Sequence, residues 1–362
     1  MAILGGSRGA RGLRYNPALD GLRALAVMLV LAHHCEVPGF AGGYSGVDLF
    51  FVLSGYLITS ILRSEAERGG GIDLMRFYCG RAIRLWPPLL LMLAMYAAAS
   101  PWFFVVSDLQ RDLLLTSTYL ADYSFAFWQV PDYLRHTWSL AVEEHFYLIW
   151  PLVIMLTARW KPMMLAVLFI ALFVGDTVWR LLQLLVFADW WHRIYFSFDT
   201  RVSGLMLGAA IAVLPWRPER SADWLAGSAL AVVAMNVAFL ATRGQFILGS
   251  VSFDVTAAVL VLALAGKPGR VAGALSKQPF VYLGMLSYSI YLISYPIQRA
   301  LDHQYSWPVM LAIVFAGSLV FAVVTFELVE KPVKKWRHGL AASDAAASRQ
   351  LPPRAVVNPA AD

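Results

Sequence analysis

The sequence predicts an all-α protein, a polytopic transmembrane helical bundle of about ten spans with both termini cytoplasmic. Three observations carry that prediction. Hydrophobic residues make up 59% of the chain and charged ones only 14%, against roughly 25% charged in a soluble domain. The apolar residues gather in runs of about 20, the length that crosses a hydrocarbon core. The basic residues cluster in alternate loops, as they do on the cytoplasmic side of a membrane.

Residues 1–17 read as a basic cytoplasmic arm with Arg8, Arg11 and Arg14. Span 1 covers about Leu19–Cys35, and Gly39, Gly42 and Gly43 mark the turn after it. Its run carries Arg23 and a His pair and has no small-residue cleavage site, so it reads as a retained span, not a signal peptide. Span 2 covers about Gly46–Leu62, and residues 63–84 read as a basic loop. Span 3 covers about Leu85–Phe104, followed by a polar and aromatic stretch from Ser107 to Thr137. Spans 4 and 5 cover about Trp138–Leu156 and Met163–Leu185. Span 6, about Val202–Leu214, is short and follows Asp199 and Arg201. Spans 7 to 10 cover about Trp224–Leu240, Ile247–Leu264, Phe280–Ile297 and Val309–Leu328. Residues 18–337 thus form one membrane domain, and 338–362, rich in Ala, Pro and Ser, read as a disordered cytoplasmic tail.

An even span count puts both termini on one side. Most of the 29 Lys and Arg fall in the arm, the tail and the loops that share that side, which makes it the cytoplasmic one. The net charge of +6 therefore reports topology and not nucleic-acid binding. Cys35 and Cys79 fall on opposite sides, so no disulfide is expected. No internal repeat suggests a transporter with inverted halves.

Charged and titratable groups inside apolar spans are costly and mark functional candidates. Arg23 and His34 lie on nearly one face of span 1, roughly 16 Å apart at about 1.5 Å per residue. His34 can take and give protons near neutral pH. It can equally be a helix-end imidazole that caps carbonyls. Adjacent His33 and His34 do not converge on one ligand, and no metal site is expected. Glu143 and Glu144, with His145 beside them, head span 4, where a carboxylate can orient an imidazole or simply face outer water. Asp20 can cap span 1 or pair with Arg23. Arg81 and Arg84, one turn apart, suit a phosphate-bearing ligand or ordinary cytoplasmic anchoring. The aromatic residues Tyr119, Tyr123, Phe125, Phe127, Trp128 and Tyr133 could stack on sugar faces or form an interfacial belt.

Taken together these segments resemble the acyltransferase-3 family of membrane O-acyltransferases. The resemblance rests on Leu19-Asp20-Gly21-Leu22-Arg23 with His34, on Gly46 to Tyr56, on Phe77-Tyr78 with Arg81, Arg84 and Pro87, and on Trp138 to Tyr147. Leu286 to Leu292 and Glu327 to Pro332 extend it, so that it covers about 17–337. The family often has Gln where this chain has His145, which puts a second imidazole near the expected site. The resemblance implies transfer of an acyl group, usually acetyl, from cytoplasmic acyl-CoA to a hydroxyl of a glycan or similar acceptor. It implies His34 as general base or acyl carrier, Glu143 as its partner, and Arg23 as support. It implies Arg81 and Arg84 as the acyl-CoA phosphate site, with Glu144 a weaker choice than Glu143. Acetyl-CoA would be a substrate and no cofactor is expected. The expected setting is a bacterial inner membrane, with lipids as the surroundings. Some relatives carry an extra soluble domain; this chain ends soon after span 10, so a stand-alone unit is expected. The rival readings are a glycan or lipid transporter and a non-catalytic scaffold.

Overall fold

The computed structural model describes residues 15–68, 71–186, 190–219, 221–239, 246–266, 269–301 and 304–332. Most of the predicted arm and all of the predicted tail lie outside the described residues. Among those described the chain is helical, with no strand.

Helix α1 (Pro17–His34) starts where Asn16 accepts a hydrogen bond from Ala18 N, with Pro17 pre-set for the first turn. A short 3-10 turn, Ala41–Ser45, leads into α2 (Gly46–Ala66), the most enclosed of the long helices. Helix α3 (Leu74–Phe103) begins earlier than span 3 was expected to. Asp73 caps it by accepting from Arg76 N at 2.9 Å, so much of the expected 63–84 loop is helix. Arg81 and Arg84 are thereby held on a rigid turn. The 107–137 stretch folds into α4 (Leu109–Ser117), α5 (Ala121–Trp128) and a 3-10 turn, Arg135–Thr137. There follow α6 (Trp138–Leu156), α7 (Pro162–Val186), α8 (Trp190–Phe196) and α9 (Ser203–Val213). The chain continues with α10 (Ala222–Phe239), α11 (Phe246–Leu264), α12 (Arg270–Leu275), α13 (Gln278–Ala300) and α14 (Trp307–Thr325).

Among the described residues seven stretches, containing α2, α3, α6, α7, α10, α13 and α14, are long and apolar enough to cross a membrane. The other three predicted spans correspond to α1, α9 and α11. Helix α1 is less apolar because it carries Asp20, Arg23, His33 and His34. Helix α9, with 11 residues, covers only about 16 Å. The turn Phe198–Thr200 precedes it.

Helices α1 and α2 form the centre. Helix α2 packs along α9 and touches α1, α6 and α11, while α1 packs along α13. The approaches are close because glycine lines them: a Cβ at Gly284 would overlap the Asp20 carbonyl, and one at Gly208 the Val52 carbonyl. Leu90 and Met95 of α3, Val167 and Leu181 of α7 and Val320 of α14 are exposed, as a lipid-facing surface requires.

Candidate active site

Two cavities open along α1 and α2, named inner and outer after the topology that the sequence predicts. The inner one, about 40 Å³, lies between α1, α2, α3, α6 and α13; the outer one, about 300 Å³, lies beyond His34. Val47 and Tyr291 line both, so the two cavities lie on either side of those residues.

The inner cavity is built of cations and one carboxylate. Arg23 Nε donates to Ser287 Oγ at 3.2 Å, and its guanidinium lies over the Phe50 ring. Arg81 sits 4.0 Å from the centre of the Tyr147 ring, and Arg84 lines the same cavity. From α6, Glu143 Oε1 accepts from Ser54 Oγ at 2.5 Å, and Tyr147 OH donates to Ser54 Oγ at 3.0 Å. Glu143 stands in the field of Arg23, Arg81 and Arg84 together. Three guanidiniums grouped beside Glu143 suit an anionic ligand.

The outer cavity is aromatic and imidazole-lined. The His34 ring lies 5.0 Å from that of Tyr295, and the His136 ring lies 5.1 Å from the same tyrosine. His136 Nε2 is 2.8 Å from Leu292 O. A carbonyl only accepts, so Nε2 carries the proton and Nδ1 is the bare nitrogen. Nδ1 of His34 and Nδ1 of His136 are both buried with no hydrogen-bond partner. Arg135 donates to Tyr295 OH at 2.6 Å. Trp138, Trp191, Tyr195 and Phe196 complete the wall. Helix α8, which supplies three of those rings, is tied down by Asp199, which accepts from Arg193 at 2.5 Å, Trp179 at 2.7 Å and Tyr123 at 3.0 Å. Burial would raise the Asp199 carboxyl, but these three donors outweigh it and hold the group below its usual range.

The sequence-named residues divide between these places. His34 faces the outer cavity, and Arg23, Arg81, Arg84 and Glu143 face the inner one. Glu143 therefore has Ser54 as its partner, not His34, and the expected carboxylate–imidazole contact is not formed. Asp20 neither caps α1 nor pairs with Arg23; it accepts from Tyr15 OH at 2.7 Å. Burial, then that bond to Asp20, pushes the Tyr15 phenol above its usual range. Glu144 lines neither cavity. His145, two residues and about 200° round α6 from Glu143, points away from both. Its Nδ1 lies 3.2 Å from Asp122 Oδ2. The six aromatic residues of the 107–137 stretch also line neither cavity: Phe125 packs on Phe196, Tyr133 on Phe104, and Trp128 is exposed. His33 and His136 line the outer cavity beside His34, and the signal for His136 was a histidine two residues ahead of the Trp138-Ser139-Leu140 motif. Among the described residues no group of three His, Cys, Asp or Glu is placed to hold a metal ion. Cys35 and Cys79 are free thiols.

A second buried charge group was missed. Arg201 pairs with Asp48 at 2.6 Å, and Arg180 with Asp176 at 3.2 Å and Asp254 at 3.9 Å. These residues come from α2, α7, α11 and the end of the Phe198–Thr200 turn just before α9, and none lines either cavity.

The model of a family described as an acyltransferase domain matches residues 16–327. The chain is 31% identical over 352 residues to the peptidoglycan O-acetyltransferase OatA of Listeria monocytogenes, covering 89% of this chain and 56% of that protein. It is 32% identical over 351 residues to the O-acetyltransferase OatA of Staphylococcus aureus, covering 89% of this chain and 58% of that protein. The chain thus spans little more than half the length of these relatives. No solved structure matches it.

Proposed function

The chain belongs to the acyltransferase domain family, and on that premise we propose that it is a membrane O-acyltransferase of a bacterial cell membrane. It moves an acyl group, acetyl foremost, from cytoplasmic acyl-CoA to a hydroxyl of a cell-envelope glycan. The observation that carries this reading is a cation-rich inner cavity next to an imidazole-lined outer one, with Val47 and Tyr291 in the walls of both. The names of the two relatives, both O-acetyltransferases, support acetyl as the group moved, and that of the Listeria monocytogenes protein, which names peptidoglycan, supports a glycan as the acceptor.

The residues divide the work along the membrane normal. Arg81 and Arg84, near the cytoplasmic end of α3, bind the phosphates of the donor. The pantetheine arm runs into the inner cavity past Arg23 and Glu143, and the thioester reaches the junction. The acceptor hydroxyl enters the outer cavity from the far side. With Nδ1 of His34 sealed in, Nε2 is its working nitrogen. It removes the hydroxyl proton as the oxygen attacks the thioester carbonyl. A carbon–oxygen bond forms, the carbon–sulfur bond breaks, and the proton passes from His34 to the departing thiolate to give free CoA. In the two-stage variant, Nε2 first takes the acyl group and then yields it to the hydroxyl.

The test is transfer of label from acetyl-CoA into envelope glycan by membranes holding wild-type protein or His34→Ala. Label that requires the protein and disappears with His34→Ala supports the reading and its base. Transfer that survives the substitution removes His34 from the mechanism. No transfer from any acyl-CoA by folded, inserted protein overturns the enzyme and leaves the transporter.

A further inference from the structure

We propose that Val47 and Tyr291 form a rigid neck through which the acyl group alone passes, and that the side chain at position 47 sets the acyl length the protein accepts. The inference rests on the acyltransferase reading and adds to it the class of donor: short acyl groups of two or three carbons.

The neck is where the two cavities share their walls, and Val47 and Tyr291 are the two side chains common to both. Neither wall can yield easily. The Tyr291 hydroxyl donates to the carbonyl of His136 at 2.8 Å and lies 2.7 Å from Ser139 Oγ, so the ring is fastened at its far end to the start of α6. The His136 ring, 5.5 Å away, and the Phe50 ring, 6.5 Å away, hold it along its length. The tyrosine is 6% exposed.

Val47 is fixed from the other side. It stands in the first turn of α2, 5% exposed, between two anchored neighbours. A Cβ at Gly46 would overlap the Ala26 carbonyl, so α2 lies hard against α1 there. Asp48 is held by Arg201 at 2.6 Å. Valine in a helix also has one strongly preferred rotamer. The neck is thus bounded by two methyl groups and a tethered ring, none with an easy place to go.

The chemistry on the two sides differs in the way a filter requires. The donor's anionic part has its cations on the inner side, in Arg81 and Arg84, while His34 lies on the outer side. The reacting carbonyl has to come within reach of both the thiol arm and His34, which places it at the neck. An acetyl group then puts one methyl beyond the carbonyl. A longer chain has to lie against Val47 or displace it. Discrimination by a packed apolar wall is worth about 10–200-fold per methylene group.

Detergent-solubilised or membrane-embedded protein is assayed with acetyl-, propionyl-, butanoyl- and hexanoyl-CoA on one glycan acceptor, and kcat/KM is compared as a ratio to acetyl. Val47→Ala widens the neck and is expected to raise the hexanoyl-to-acetyl ratio at least about 10-fold. Val47→Leu narrows it and is expected to lower the propionyl-to-acetyl ratio. Tyr291→Phe keeps the ring but cuts its tether, and is expected to raise the hexanoyl ratio without any change at position 47. Thermal unfolding of each variant shows whether it folds, and the ratio is read only on folded protein. Equal loss with every donor in Val47→Ala and Tyr291→Phe, with ratios within twofold of wild type, overturns the neck. A wild type that transfers no acyl group from any donor instead overturns the enzyme reading itself.

Discussion

Two groups of buried charge stand on different faces of α2, and they are built on opposite rules. Asp48 and Ser54 are six residues apart, about 240° round the helix. On the Asp48 face, Arg201 and Arg180 meet Asp48, Asp176 and Asp254, nearly balanced and away from both cavities. On the Ser54 face, one carboxylate, Glu143, stands among three guanidiniums that line a cavity. Burying a charge in a bilayer is costly in both cases. In the first group the opposite charges offset that cost among themselves and tie α2, α7, α9 and α11 together. In the second three guanidiniums face a cavity that an anionic ligand would fit. Presence of charge inside a membrane therefore does not by itself mark a site; imbalance beside a cavity does.

The largest expected effect tests the balanced group. Arg201→Ala strands Asp48 in the interior and should cost roughly 3–5 kcal/mol of stability, seen as a large fall in the unfolding temperature of solubilised protein. Transfer should fall only as the folded fraction falls. An Arg201→Ala protein that stays as stable as wild type but no longer transfers would break the comparison. His34→Ala should do the reverse: unfolding temperature near wild type, and transfer down about 10²–10⁴-fold, the usual share of a general base. Next comes Arg81→Ala, which removes charge from a surplus. We expect the KM for acetyl-CoA to rise roughly 10–100-fold, as for loss of a charged hydrogen-bond partner, with little change in stability. Acetyl-pantetheine, which lacks the nucleotide phosphates, should lose much less; an equal loss for both donors would take Arg81 off the phosphates.

How much of this the sequence revealed follows from which interactions are local. Span positions were legible because twenty apolar residues in a row leave few alternatives, and α6, Trp138–Leu156, falls where it was expected. The start of α3 was missed because its cap, Asp73, sits in a charged stretch that resembles a loop. Arg23, Arg81, Arg84 and Glu143 were legible as candidates because each is a costly residue near or within an apolar run. Their grouping was not legible, because it depends on how α1, α3 and α6 turn about their axes. That is why Glu143 was assigned to His34 when its hydrogen bond goes to Ser54. The Asp48–Arg201 pair joins residues 153 apart, and no local pattern announces such a pair.

The smallest expected effect lies outside the bilayer core, at the strap that holds α8 over the outer cavity. Asp199 is partly exposed, with 32% of its side chain accessible, so its pair with Arg193 is screened by water and should be worth about 1 kcal/mol or less. Its folded carboxyl is held below the unfolded value, so the stabilisation is present above the usual aspartate range near ~3.9 and fades as pH falls through the lower folded value. Asp199→Asn loses the charge and keeps one acceptor oxygen in place of two, so it can accept on the Tyr123 side or on the Trp179 and Arg193 side but not on both. The variant should therefore unfold at a slightly lower temperature than wild type at pH 7, and the gap should close at strongly acid pH. Because α8 carries Trp191, Tyr195 and Phe196 to the outer cavity, the same variant should raise the acceptor KM more than the acetyl-CoA KM. An equal rise in both would mean that the strap serves the whole bundle, and the division between a donor side and an acceptor side would lose one of its supports.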